Sequence, residues 1–170
     1  MQAATLNDLK ATGGLEALAG KYLTFALGEE EYGIEIIKVK EIIGMMPITS
    51  LPQTPSFIKG VINLRGKVIP VTDLRLKFGL ERTEISERTC IIVVEMEKPS
   101  GSLTMGLVVD GVSEVANIKK EEIELAPHLG ILEEMNFVSG MAKTESRVKI
   151  LLDIDRVLAG EQLAALREMF

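Results

Sequence analysis

Phe57-Ile58-Lys59-Gly60-Val61-Ile62-Asn63-Leu64-Arg65-Gly66-Lys67-Val68-Ile69-Pro70-Val71-Thr72-Asp73 reads as two β-branched runs joined by a two-residue turn. Gly66 is the natural residue for the positive φ that such a turn or its bulge demands. Arg65 then stands at the tip of a rigid hairpin, either as a solvated charge or as a contact for a partner. Pro70 lacks an N–H, so its strand is expected to meet an edge or a bulge there. Asp73 is placed to cap a short helix over 74–78, with Gly79 just beyond its end.

The same frame returns at Phe137–Asp153, shifted by 80 positions (137 − 57) without a gap. Phe57 meets Phe137, Gly60 meets Gly140, Val68 meets Val148 and Asp73 meets Asp153. The segments ahead of the two hairpins also match. Tyr32-Gly33-Ile34 and Val39-Lys40-Glu41-Ile42 align with Met105-Gly106-Leu107 and Val112-Ser113-Glu114-Val115 at a shift of 73 (106 − 33). Two matches in the same order predict a duplicated unit, with halves at about 21–83 and 88–158. The tip is not shared: Asn63-Leu64-Arg65-Gly66 faces Lys143-Thr144-Glu145-Ser146.

Elsewhere the pattern predicts strands at 22–27, 32–37, 89–95, 103–109, 112–118 and 148–152. Glu29-Glu30-Glu31 reads as a solvated turn, and Val39–Ile43 as either a helical turn or a strand start. Pro47, Pro52 and Pro55 mark an irregular connection. Lys119–Leu129 reads as a loop. Residues 161–170 read as an amphipathic helix with Leu163, Leu166 and Phe170 on one stripe, and residues 1–20 as a flexible tail. Short strands punctuated by Gly and Pro point to small barrels.

The chain has 170 residues, 46% of them hydrophobic but only 4% aromatic, with no Trp. Its core must therefore be aliphatic. The net charge of −6 repels phosphate backbones, which argues against nucleic acid as a partner. A single cysteine permits no intrachain disulfide and suits a reducing compartment. Neither a signal peptide nor a membrane span is legible, and a cytoplasmic protein is expected.

No phosphate-binding loop, HExxH, GxSxG or CxxC motif is present. His128, the only histidine, lies in a predicted loop beside Pro127 and reads as structural. Cys90 opens an apolar strand, where burial makes a thiol inert. Asp153 and Asp155 resemble a carboxylate pair, but N-capping is the plainer account. No catalytic residue, metal site or cofactor is expected, although an enzyme using Asp153, Asp155 or His128 is a distant alternative. What remains is a binding surface, with the apolar run Ile34–Ile43 mostly core and a few members free to form a groove.

Glu31-Tyr32-Gly33-Ile34-Glu35-Ile36, Val39-Lys40-Glu41-Ile42, Phe57 to Gly66 and Val108-Val109-Asp110-Gly111-Val112-Ser113-Glu114-Val115 resemble the CheW family, the coupling proteins of bacterial chemotaxis. The resemblance runs from about Lys21 to Leu158. It implies a mainly β fold of two SH3-like five-stranded β-barrel subdomains packed together, in which an N-terminal strand can cross into the other barrel. It also implies a non-enzymatic adaptor. Such an adaptor tethers the histidine kinase CheA, through its regulatory domain, to the cytoplasmic tip of methyl-accepting chemoreceptors, without entering the membrane. The matched binding positions are Val39, Glu41, Gly60 and Arg65; Ile42 and Asn63 join them by proximity. Arg65→Ala and Val39→Glu are expected to spare folding and weaken capture. A regulatory domain acting on a kinase without receptor contact is the alternative.

Overall fold

The computed structural model describes residues 19–81, 83–98, 101–125 and 137–157. The tail to residue 18, His128 and the expected helix at 161–170 lie outside them. Eleven strands are described: β1 (Gly20–Leu27), β2 (Glu30–Glu35), β3 (Val39–Gly44), β4 (Ile58–Leu64), β5 (Lys67–Asp73), β6 (Cys90–Lys98), β7 (Gly101–Val109), β8 (Gly111–Ile118), β9 (Ile123–Leu125), β10 (Val138–Thr144) and β11 (Arg147–Leu152). Helix α1 (Leu74–Lys77) follows β5 and α2 (Ile154–Val157) follows β11. Short 3-10 turns occupy Ile36–Lys38 and Lys120–Glu122.

The strands form two sheets, ordered β8-β1-β2-β11-β10-β9 and β3-β6-β7-β5-β4. Neither sheet is one half of the sequence. Hairpin β1–β2 joins strands of the second half, pairing antiparallel with β8 and parallel with β11. Hairpin β6–β7 joins strands of the first half, pairing antiparallel with β3 and parallel with β5. The two halves thus exchange their leading hairpins, so a whole hairpin crosses from each side rather than a single strand. The first sheet has a sixth strand because β9 forms in what reads as a loop. In the second sheet an isolated bridge from Thr49 to Val61 takes the matching place.

The hairpins β4–β5 and β10–β11 share local features. Strands β4 and β10 share one alternation of buried and half-buried positions. The Asp73 N–H donates to the Phe57 carbonyl at 2.7 Å, and that of Asp153 to Phe137 at 2.8 Å. Both aspartates cap the helices that follow: Asp73 Oδ1 accepts from Arg75 N at 2.9 Å and Asp153 Oδ1 from Asp155 N at 3.1 Å. Helix α1 runs one residue shorter than expected, with Phe78 as its cap.

Three apolar clusters hold the fold. Tyr22, Ile118, Ile123, Ala142 and Leu151 fill the interior of the first sheet. Ile62, Ile69, Val71, Ile91, Val93 and Val108 fill that of the second. A larger cluster lies between the sheets and draws on both, including Leu23, Phe25, Ile34, Ile92, Val94, Met105 and Leu152. Successive side chains of a strand point to opposite faces. Ile91 and Val93 therefore serve one core while Ile92 and Val94 serve another. Burial on both faces explains why Cys90–Val94 is apolar without a break. Phe25, Tyr32, Phe78 and Phe137 form a continuous stack in the shared core, with ring centroids 5.9, 5.6 and 5.1 Å apart.

Some local expectations need correction. Gly20 belongs to β1 rather than to a tail. Glu30 and Glu31 lie inside β2, leaving Gly28-Glu29 as the turn, and β2 ends at Glu35 because Ile36–Lys38 tightens into a 3-10 turn. Residues 39–44 are strand. Pro70 sits in an interior strand without cost to the ladder, because pairing with β7 begins only at Val71.

Candidate docking surface

The Arg65-Gly66 turn has φ of 52° and 89°, the paired positive values of a type I′ turn. Asn63 holds it closed: its Oδ1 accepts from Gly66 N at 2.8 Å. Asn63 therefore shapes the tip on which Arg65 is displayed. Arg65 Nη2 bonds Glu41 Oε2 on β3. Strands β3 and β4 lie at opposite ends of the sheet order, so this ion pair marks where the sheet curls back on itself. The Glu41 hydrogen bond, and then its charge, hold the guanidinium pKa above its ordinary value. The Arg65 side chain is 68% exposed and that of Glu41 32%. An ion pair this open adds little to stability, so its charges remain available to a partner.

Of the other predicted residues, Ile42 is 45% exposed on β3. Val39, on the same strand, is half-buried against the shared core, so a glutamate there would destabilise the fold as well as alter the surface. That corrects the expectation that Val39→Glu spares folding. Gly60 is buried, with φ of 140°. A Cβ at Gly60 would lie 2.0 Å from the Thr49 carbonyl oxygen. It allows residues 47–50 to lie against β4 and offers no side chain to a partner. The structure thus joins Glu41, Arg65 and Asn63 directly, with Val39 and Ile42 on the strand that carries Glu41. Val68 was missed. It pairs with Asn63 across the hairpin and is 49% exposed. Its sequence signal is weak, because a valine inside a β-branched run reads as core.

The duplicated site differs. Glu145 occupies the Arg65 position with φ of 50°. Glu114, the counterpart of Glu41, pairs instead with Lys149 at 3.2 Å, and Lys149 also lies 3.7 Å from Glu31. Glu31, read from sequence as a solvated turn residue, is therefore part of a charge network. Val115 and Val148, the counterparts of Ile42 and Val68, are exposed as well.

The described polar candidates Cys90, Asp153 and Asp155 have structural surroundings. Cys90 is half-buried, and burial pushes its thiol pKa up. Asp153 caps α2 and lies 3.5 Å from Arg156. Among the described residues, no group of three His, Cys, Asp or Glu side chains is placed to hold a metal ion, and no helix is long and apolar enough to cross a membrane.

Two small barrels that exchange hairpins, share a core and differ at their equivalent tips define a duplicated double-barrel module. The family model for the CheW-like domain matches residues 21–162, and the chain belongs to that family. Chemotaxis protein CheW of Klebsiella aerogenes is 40% identical over 149 residues, covering 88% of this chain and 87% of that protein. Chemotaxis protein CheW of Bacillus subtilis is 33% identical, covering 83% and 88%. The crystal structure of the scaffolding protein TtCheW from Thermoanaerobacter tengcongensis matches with a TM-score of 0.74 and 37% identity, over 85% of this chain and 96% of that one.

Proposed function

We propose that this chain is a non-enzymatic chemotaxis adaptor that couples chemoreceptor cytoplasmic tips to the regulatory domain of the histidine kinase CheA. Relatives named chemotaxis protein CheW, similar over most of their length, support the coupling role. The observation that carries the site assignment is the pair between Arg65, exposed on the I′ hairpin, and Glu41 on β3, displayed by one barrel and replaced on the other. Arginine offers a planar fork for a partner carboxylate, and Glu41 orients it without burying it. Ile42 and Val68 supply exposed apolar area on the strands that carry Glu41 and the hairpin.

Capture of a receptor cytoplasmic fragment and of the kinase regulatory domain tests this reading. Arg65→Ala and Ile42→Ser are expected to keep the wild-type melting temperature and to weaken capture of at least one partner. Arg65→Lys is expected to restore little of the loss, because a point charge does not reproduce the fork. Folded variants that capture both partners normally would refute the site. Capture of the kinase domain but not the receptor fragment by the wild-type protein would favour the regulatory-domain alternative.

A further inference from the structure

Two ion pairs fasten the crossings between the sheets. Arg75 in α1 holds Asp110 at the β7–β8 crossing, and Lys38 at the β2–β3 crossing holds Asp155 in α2. Asp155 stands where the shift of 80 puts Arg75 (155 − 75), so the two latches match in place with their charges reversed. Their surroundings differ. Asp110 Oδ2 accepts from both Arg75 and Gly28 N. Asp155 lies among like charges: Asp153 precedes it, and Glu35 faces both from the end of β2. The Asp153 side chain is 8% exposed. Its Oδ1 accepts from Asp155 N and Arg156 N, while Oδ2 lies 3.5 Å from Arg156 Nε without a hydrogen bond. Asp155 Oδ1 is also buried without a hydrogen bond. Glu35 is half-buried and makes no hydrogen bond or ion pair among the described residues. Tyr22 on β1 faces it as a neutral phenol, its pKa held high chiefly by burial, and Lys21 beside Tyr22 is exposed. Lys40 on β3 and Glu95 on β6 pair with each other. Burial raises the Glu35 carboxyl pKa, Lys38 lowers it, and the two aspartates raise it further. Glu35 and Asp155 therefore compete for one ammonium group. At the other crossing the shift of 73 puts Val108 in the place of Glu35 (108 − 35), so no third acid bears on that latch from there.

We propose that Glu35 is a proton switch for the Lys38–Asp155 latch: ionised, it draws Lys38 from Asp155 and repels α2; protonated, it leaves Lys38 to hold the crossing on α2. The step is uptake of one proton from water by the Glu35 carboxylate. Ile154 and Val157 carry the change inward, because both are buried in the shared core. The switch belongs to the fold and does not depend on the adaptor reading. NMR titration of the full chain between about pH 4 and pH 8 tests it, with the Glu35 carboxyl carbon giving the midpoint. The amides of Lys38 and of Ile154–Val157 are expected to shift at that midpoint, and those of Leu74–Lys77 to stay still. Glu35→Gln keeps the side-chain shape and is expected to abolish the α2 transition at that pH. Asp155→Asn, which frees Lys38 for Glu35, is expected to lower the Glu35 midpoint by about one pH unit, and Lys38→Met to raise it. Amides of α2 that do not move at the Glu35 midpoint, or that still move there in Glu35→Gln, would overturn the proposal. So would a Glu35 midpoint unchanged in both Asp155→Asn and Lys38→Met.

Discussion

Gly60→Ala perturbs two things at once, and the duplicated fold supplies a control for each. The φ of 140° lies where side-chain-bearing residues are strained, at about 1–3 kcal/mol. The new Cβ would also stand 2.0 Å from the Thr49 carbonyl oxygen and 2.7 Å from its carbon, so the 47–50 segment must move. That movement breaks the reciprocal bonds Thr49 N to Val61 O at 2.9 Å and Val61 N to Thr49 O at 2.8 Å. Each is worth about 1 kcal/mol net. Together these effects amount to about 3–5 kcal/mol, or roughly 6–20 °C in melting temperature for a chain of this size. Gly140→Ala isolates the clash: its Cβ would lie 2.6 Å from the Glu124 carbonyl oxygen, and it has no positive φ. Gly66→Ala isolates the strain: φ is 89° and nothing lies within 4 Å of the added carbon, so the cost is about 1–2 kcal/mol. Urea unfolding of the three variants, with unchanged slopes, gives the comparison. If Gly60→Ala unfolds within about 1 kcal/mol of Gly66→Ala, the account of Gly60 as a scaffold residue for the 47–50 segment is wrong.

Two further outcomes are expected. Asp110 Oδ2 accepts from Gly28 N at 2.7 Å and Arg75 Nη1 at 2.6 Å, with the Arg75 side chain 17% exposed. Asp110→Ala should therefore cost about 2–3 kcal/mol in urea unfolding, and a loss under about 0.5 kcal/mol would contradict this role. Glu35 has a pKa raised above its ordinary value of 4.5, so the folded state holds the proton more tightly than the unfolded one. Its charge destabilises the protein above the raised pKa, and that penalty fades as pH falls through it toward 4.5. Glu35→Gln should exceed wild type in melting temperature at pH 7 and lose the advantage by pH 4; a constant difference across that range would exclude the burial argument.

Much of the fold is legible because its signals are local. Asp73 and Gly79 bracket α1, Arg65-Gly66 names its own turn, and the shift of 80 finds the second hairpin without structure. Strand ends are less legible at Ile36–Lys38, where β-branched residues continue past the point at which the chain tightens. β9 was missed because three residues carry no alternation, and its pairing with β10 is what makes it a strand. Single members of the candidate site were legible through family resemblance. Their roles were not: Gly60 turned out to be buried, Asn63 a turn clamp and Val39 half-buried, which only packing reveals.

By itself the sequence determined most of the strands, the aliphatic core and the asymmetry between the Arg65 and Glu145 tips. It could not determine which hairpin completes which sheet. The two halves are alike, so each leading hairpin presents similar faces to its own half and to the other, and burial alone does not choose. The connections choose. Only Ile36–Lys38 separates β2 from β3, and only Asp110 separates β7 from β8, so neither hairpin folds back on its own half. That exchange forms the shared core and sets the 3-10 turn, with Glu35 and Ile37, at one crossing between the sheets.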